Sequence, residues 1–250
     1  MRFFALALLF ALSFGCSKSQ DNVAWRVKEM AVSRSSRVTL YGAGEKVLLT
    51  MDKQTVQKLL LAHLRITRNA GTQAELLIVE GDEPNAFAAL VNGRRSIAIS
   101  IGMIRLIGGD HMDEFAALLG HEAAHWAMGH VDAAKVRSTT IQGISTLVGA
   151  GLGVAGVPAA GLITGLSAEL IETSYSRAAE READALSVDY MVASGFDPEG
   201  AVRLQEKMLK LPAGLNVPFL STHPTGEERI EYLRKLIAAK QPQGKTALVE

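Results

Sequence analysis

Apolar positions along the chain recur in two periods, and the alternation between them lays out the elements. "DKQTVQKLLLAHLRITRNAG" carries Val56, Leu59, Leu60, His63 and Leu64 at helical spacing and stops at Gly71, so a helix is expected there. "AELLIVEG" reads as a strand, and "RRSIAISIGMIRL", after the turn "VNG", as a second one. "GGDHMDEFAALLGHEAAHWAMGH" then opens a helix, with Asp110 as its N-cap and Asp113 and Glu114 in the first turn, where the helix dipole favours negative charge. A further helix spans "SRAAEREADALSVDYMVASG", capped by Ser176 and stopped by Gly195, followed by amphipathic helices in "DPEGAVRLQEKMLKL" and "GEERIEYLRKLIAAK". Long helices with few strands predict a mainly helical α+β fold, its small antiparallel or mixed sheet packed on the histidine-rich helix.

The flanks of this pattern differ from its centre. Residues 1–15 join one arginine to an apolar run and small residues, as a secretory signal peptide does. Residues 16–50 are mixed and polar and read as a tether with short extended pieces, and the core domain is expected over 51–240, with a frayed tail at 241–250. Residues 141–166 are uncharged, rich in Gly, Ala and Val, and interrupted by Pro158. They read as a mobile hairpin or lid beside the site, with a membrane-dipping hairpin as the alternative because of their GxxxG spacings. A formal net charge of zero gives no support for a nucleic-acid partner. The single cysteine, Cys16, excludes an intrachain disulfide.

Chemistry concentrates in "GHEAAHWAMGH". His121, Glu122 and His125 fall on the stripe that also carries Phe115 and Leu118, and buried imidazoles and carboxylates are costly unless something satisfies them. Two histidines one turn apart can share a metal ion, with the intervening glutamate reaching a water beside it; this is the HExxH zinc arrangement. His130 lies about 180° and 140° around a continuous helix from His121 and His125 and is read as a capping or surface histidine. In "AEREAD", Glu180 and Asp184 share a small, apolar face, whereas Glu182 points with Ala185 and Asp189 toward solvent. Glu180 suits a third metal ligand, and Asp184 an acceptor that orients a ligand histidine.

His121-Glu122-Ala123-Ala124-His125 and Glu180-Arg181-Glu182-Ala183-Asp184, together with "NAFAALVNG", "SYSRAAEREAD", "ASGFDPEGA" and "STHPTGEERI", resemble the HtpX-type and CAAX-prenyl-protease-type zinc metallopeptidases, which are gluzincins with a zincin-like fold. The short form, without membrane helices or a helical-repeat extension, is most similar to LoiP-type periplasmic lipoprotein proteases. The resemblance implies one zinc ion per chain held by His121, His125 and Glu180, with Glu122 as general base. It also implies that Asn85 holds the substrate backbone near a sheet edge at residues 96–101, and that His223 and Arg229 approach the metal to stabilise the oxyanion or regulate access. "AALVNG" departs from the glycine-rich form usual after Asn-Ala-Phe. The implied activity is endoproteolysis of unfolded or misfolded proteins in envelope quality control. A non-catalytic zinc-containing chaperone or outer-membrane assembly factor is the alternative. Ser-Phe-Gly-Cys resembles a bacterial lipobox with Ser13 in place of the usual Leu, which implies a lipid anchor on Cys16. Ser17 after it favours the periplasmic side of the outer membrane of a Gram-negative bacterium, where assembly factors are the further partners.

Overall fold

The computed structural model describes residues 24–42, 45–91, 93–133, 175–212 and 217–240. The expected signal peptide at residues 1–15, Cys16, the Gly-rich stretch 141–166 and the tail 241–250 lie outside them. The fold is α+β and mainly helical. A four-stranded mixed sheet runs in the order β1 (Ala24–Arg26), β4 (Glu75–Val79), β6 (Arg94–Ser100), β5 (Ala86–Val91). β4 and β6 are parallel and the other two pairings antiparallel. β2 (Arg37–Tyr41) and β3 (Val47–Asp52) form a separate antiparallel pair. The helices are α1 (Val27–Ala31), α2 (Lys53–Asn69), α3 (Ile101–Ile107), α4 (Met112–Ala127), α5 (Arg177–Ser194), α6 (Glu199–Leu209), α7 (Pro218–Thr222) and α8 (Glu227–Lys240).

Several elements depart from the sequence pattern, each for a local reason. "RRSIAISIGMIRL" is strand only as far as Ser100, whose hydroxyl accepts from Met103 N at 3.0 Å and starts α3. An N-cap that satisfies a free amide thus overrides the β-branched run that follows it. β6 is also central, hydrogen-bonded to β4 and β5 on its two sides, so the sheet edge nearest α4 is β5 rather than residues 96–101. Residues 24–52 are no free tether. β1 pairs with β4, and Val27, Met30 and Leu40 enter the core. On α2 the buried face is Val56, Leu59, Ala62, His63, Ile66 and Thr67, while Leu64 is exposed. Asp110 does not cap α4; the N-cap residue is His111, which makes no side-chain capping bond. Ser176 and Gly195 do bound α5, the first accepting from Ala179 N and the second at φ 78°.

α4 is the axis of the domain. Every residue from Glu114 to Trp126 is buried, so the inward stripe legible in the sequence is part of a helix enclosed on all sides. α2, α5, α6 and β5 surround it. Its first turn is held by Lys207, whose ammonium lies 2.6 Å from the buried Glu114 carboxylate. Its last turn is held by Trp126, which donates to Ser96 O of β6 at 3.0 Å.

Gly120 sets how closely α5 approaches. A Cβ there would stand 2.6 Å from Ser187 Oγ and 3.2 Å from Ser187 Cα, and Ser187 uses that proximity to donate to Ala117 O at 2.9 Å. Gly120→Ala gains about 1 kcal/mol of helix propensity but overpacks a contact worth about 1–3 kcal/mol. The net expectation is destabilisation of about 1 kcal/mol, partly recovered when Ser187→Ala is added. Chemical denaturation of the two variants checks this, and an unchanged or raised midpoint for Gly120→Ala contradicts it.

Candidate metal centre

α4 and α5 cross where His121, Glu122 and His125 meet Glu180 and Asp184, and the residue after α7 brings in His223. His121, His125, Glu180 and His223 are all buried, and one ligand atom from each lies within 4.8 Å of the others. His121 Nε2 is 3.1 Å from both His125 Nε2 and His223 Nδ1. Glu180 Oε1 is 2.9 Å from His223 Nδ1 and 3.3 Å from His125 Nε2, and Glu180 Oε2 is 3.4 Å from His121 Nε2.

The far side of His121 settles what this convergence means. Asp184 Oδ1 lies 3.0 Å from His121 Nδ1. A neutral His121 that donates there presents the lone pair of Nε2 to the cluster. With each imidazole presenting a lone pair, as metal binding requires, the three nitrogens and the carboxylate pointed at one locus are left without donors among themselves. Glu180 Oε2 makes no hydrogen bond among the described residues. Zinc in tetrahedral coordination separates its ligand atoms by about 3.3 Å, close to the spacings found. The donor set fits a metal ion.

Burial and neighbouring charge together set the proton affinities of the groups around the centre. Burial opposes a charge on His121, but Glu180 and Asp184 outweigh it and raise its imidazole to about 9. His125 goes the opposite way: burial, aided by the charges of His121 and His223, outweighs its hydrogen bond to Glu180 and pushes it well below its ordinary value. Burial works against a charge on Glu180, yet His121 and the hydrogen bonds from the histidines hold it well below the usual carboxylate range. Glu122 goes the other way. It is fully buried, neither oxygen has a hydrogen-bond partner among the described residues, and desolvation raises it despite the pull of His223 and His121. Its Oε1 lies 3.6 Å from His223 Nε2.

Arg229 of α8 grips Asp184 with two bonds, Nε to Oδ2 at 2.8 Å and Nη2 to Oδ1 at 2.7 Å, and Nη1 donates to Pro224 O at 3.1 Å. Nη1 also stands 3.4 Å from Glu180 Oε2, so the guanidinium braces both the aspartate behind His121 and the glutamate of the cluster. Asn85 stands outside the cluster, just before β5, where its backbone exchanges bonds with Ser100.

Two surroundings of His125 escaped the sequence reading. Tyr175 stacks on its ring at 3.7 Å and 17°, a placement that no spacing rule signals. His130 is no free surface residue: its Nδ1 lies 3.1 Å from His125 Nδ1 and its Nε2 3.2 Å from Glu182 Oε2. A continuous helix forbids that contact, but α4 ends at Ala127, and Gly129 at φ 68° turns the chain back. The glycine before His130 was the available signal.

Comparison with known proteins agrees with this geometry. The metalloprotease LoiP of Escherichia coli K12 is 27% identical over 165 residues, covering 64% of this chain and 66% of its own. The metalloprotease YcaL of the same strain is 28% identical over 165 residues, 64% and 65%. The mitochondrial metalloendopeptidase OMA1 of Arabidopsis thaliana is 30% identical over 215 residues, 83% and 41%. The matched part is therefore less than two thirds of each of these relatives' own length. The model of peptidase family M48 matches residues 51–237 and takes in all four donors: the chain belongs to peptidase family M48.

Proposed function

We propose that the protein is a zinc-dependent endopeptidase of the bacterial cell envelope that cleaves unfolded or misfolded polypeptides. The observation that carries this reading is Glu122, a buried carboxylate with no hydrogen bond to either oxygen among the described residues, beside a cluster of metal donors. Such a group is costly unless it has a task, and burial raises its proton affinity, in the direction a general base needs. His121, His125 and Glu180 would hold the ion. Bound zinc supplies Lewis acidity toward a peptide carbonyl and toward a water molecule. Glu122 accepts the water's proton on a carboxylate oxygen and returns it to the leaving amine. Asp184, clamped by Arg229, fixes the ring of His121 and leaves its Nε2 directed at the centre.

An extended substrate pairs with the open edge of β5, beside α4, with Asn85 at the start of that edge. Main-chain hydrogen bonds dominate such binding, so sequence tolerance is broad and unfolded chains are preferred. Among the described residues no helix is long and apolar enough to cross a membrane, and attachment through a lipid on Cys16 belongs to this proposal.

His223 supports a refinement. It is 1% exposed and offers a fourth donor, whereas a catalytic zinc site keeps one position open for water. The closed arrangement is the resting enzyme, latched by its own histidine.

Glu122→Gln should keep zinc and lose casein cleavage by a factor on the order of 10²–10⁴; cleavage retained in that variant removes the mechanism. His223→Ala should keep its fold and cleave faster, and a chain that fails to fold without His223 instead indicates a structural, four-ligand zinc site. Because His121 carries a proton below about 9, zinc must displace it. Apparent zinc affinity, measured by chelator competition, should fall by about tenfold for each pH unit from 9 down to about 6.5. A flat profile would show that no proton is exchanged at His121.

A further inference from the structure

The two histidines of the helical motif are supported in different ways. His121 leans on a buried aspartate that an arginine clamps from behind. His125 has no carboxylate on its far nitrogen, and the group that meets its Nδ1 is another histidine, His130, at 3.1 Å. Two imidazole nitrogens at that distance attract only if one carries a hydrogen and the other a lone pair. A single assignment satisfies every contact in the chain of groups. His125 directs the lone pair of Nε2 to the metal donors, so its Nδ1 bears the hydrogen and donates to His130 Nδ1. His130 then bears its hydrogen on Nε2 and donates to Glu182 Oε2 at 3.2 Å.

We propose that His130 and Glu182 form a relay that positions His125 as a metal ligand, and this rests on the zinc reading above. His130 is a positioning residue, one step removed from the ion. The hydrogen bond fixes the His125 ring within its plane, while the Tyr175 ring stacked at 3.7 Å resists rotation out of it. The relay also spreads the charge of the bound ion. A donor that passes a hydrogen bond toward a carboxylate is a stronger base at its other nitrogen.

The geometry depends on two features, Gly129 and Glu182. Gly129 takes φ 68° with open space around its Cβ position, so only the backbone conformation constrains that site. Glu182, on the face of α5 away from Glu180, has its side chain 45% exposed, whereas the His130 side chain is 16% exposed. A surface pair of that kind contributes little by itself, which assigns most of the effect to the His130 acceptor and a smaller part to the carboxylate.

The test compares zinc affinity by chelator competition in the full-length wild type, His130→Phe, His130→Gln and Glu182→Ala, with visible spectra of the cobalt-substituted forms. His130→Phe keeps the ring but lacks the acceptor, and should bind zinc about 10- to 100-fold more weakly, with an altered cobalt band. His130→Gln restores an acceptor oxygen and should recover affinity to within about threefold of wild type. Glu182→Ala should weaken binding by up to about fivefold. The metal-free forms of the two His130 variants should melt alike, since a packing role would not separate Gln from Phe through zinc. Wild-type affinity in His130→Phe, or equal weakness in His130→Gln, overturns the relay. Should His130→Phe not fold, Glu182→Ala decides the matter, and unchanged affinity there overturns it. A wild-type chain that binds no zinc overturns the metal reading itself and is told apart from these outcomes by that control.

Discussion

Burying three imidazoles and three carboxylates at one point of a helical core is the constraint to which the rest of the structure answers. Glu122, Glu180, Asp184, His121, His125 and His223 are all buried, and such groups stay there only if each charge or lone pair meets a complement. Asp184 meets Arg229, His121 meets Asp184, and Glu180 faces three histidines. What remains, the inward lone pairs of the histidines, is what a cation would satisfy. The small residues at the helix crossing follow from the same constraint. Only with Gly120 against Ser187 can α5 come near enough for its carboxylates to reach α4.

The centre was legible because helical periodicity acts on residues that are near in sequence. His121, Glu122 and His125 share a face by spacing alone, and Glu180 and Asp184 share another. That both faces are buried could be argued from their apolar neighbours. The contacts that could not be read are those that depend on where helices stop. The geometry of an unbroken helix keeps His130 out of the donor cluster, and it is not one of the four donors, yet the break at Met128 and Gly129 brings its ring against the far nitrogen of His125. Spacing alone gives Arg229 no role, and the packing of α8 on α5 makes it the clamp on Asp184.

The sheet shows the same division. A β-branched run identified β6, but nothing in its composition told a central strand from an edge, because position in a sheet is a long-range property. The chain leaves β4, forms β5 at the outside and returns as β6 between them. Residues 94–100 are thereby enclosed, and Ala86–Val91 is left as the strand with a free side.

The four donors differ in how firmly the fold holds them. Three belong to α4 and α5, long helices whose separation would unpack the middle of the domain. His223 follows a helix of five residues, α7, too short to persist on its own. Its anchors are Phe219, stacked on the His223 ring with centroids 4.6 Å apart, Val217, and the bond from Arg229 to Pro224 O. Releasing it exposes two side chains, on the order of 1.5–3 kcal/mol each, whereas releasing Glu180 breaches the core. The donor set therefore has a hinge side and a wall side. In the proposed metal site, a local opening at α7 would subtract one histidine and leave the three donors carried by α4 and α5.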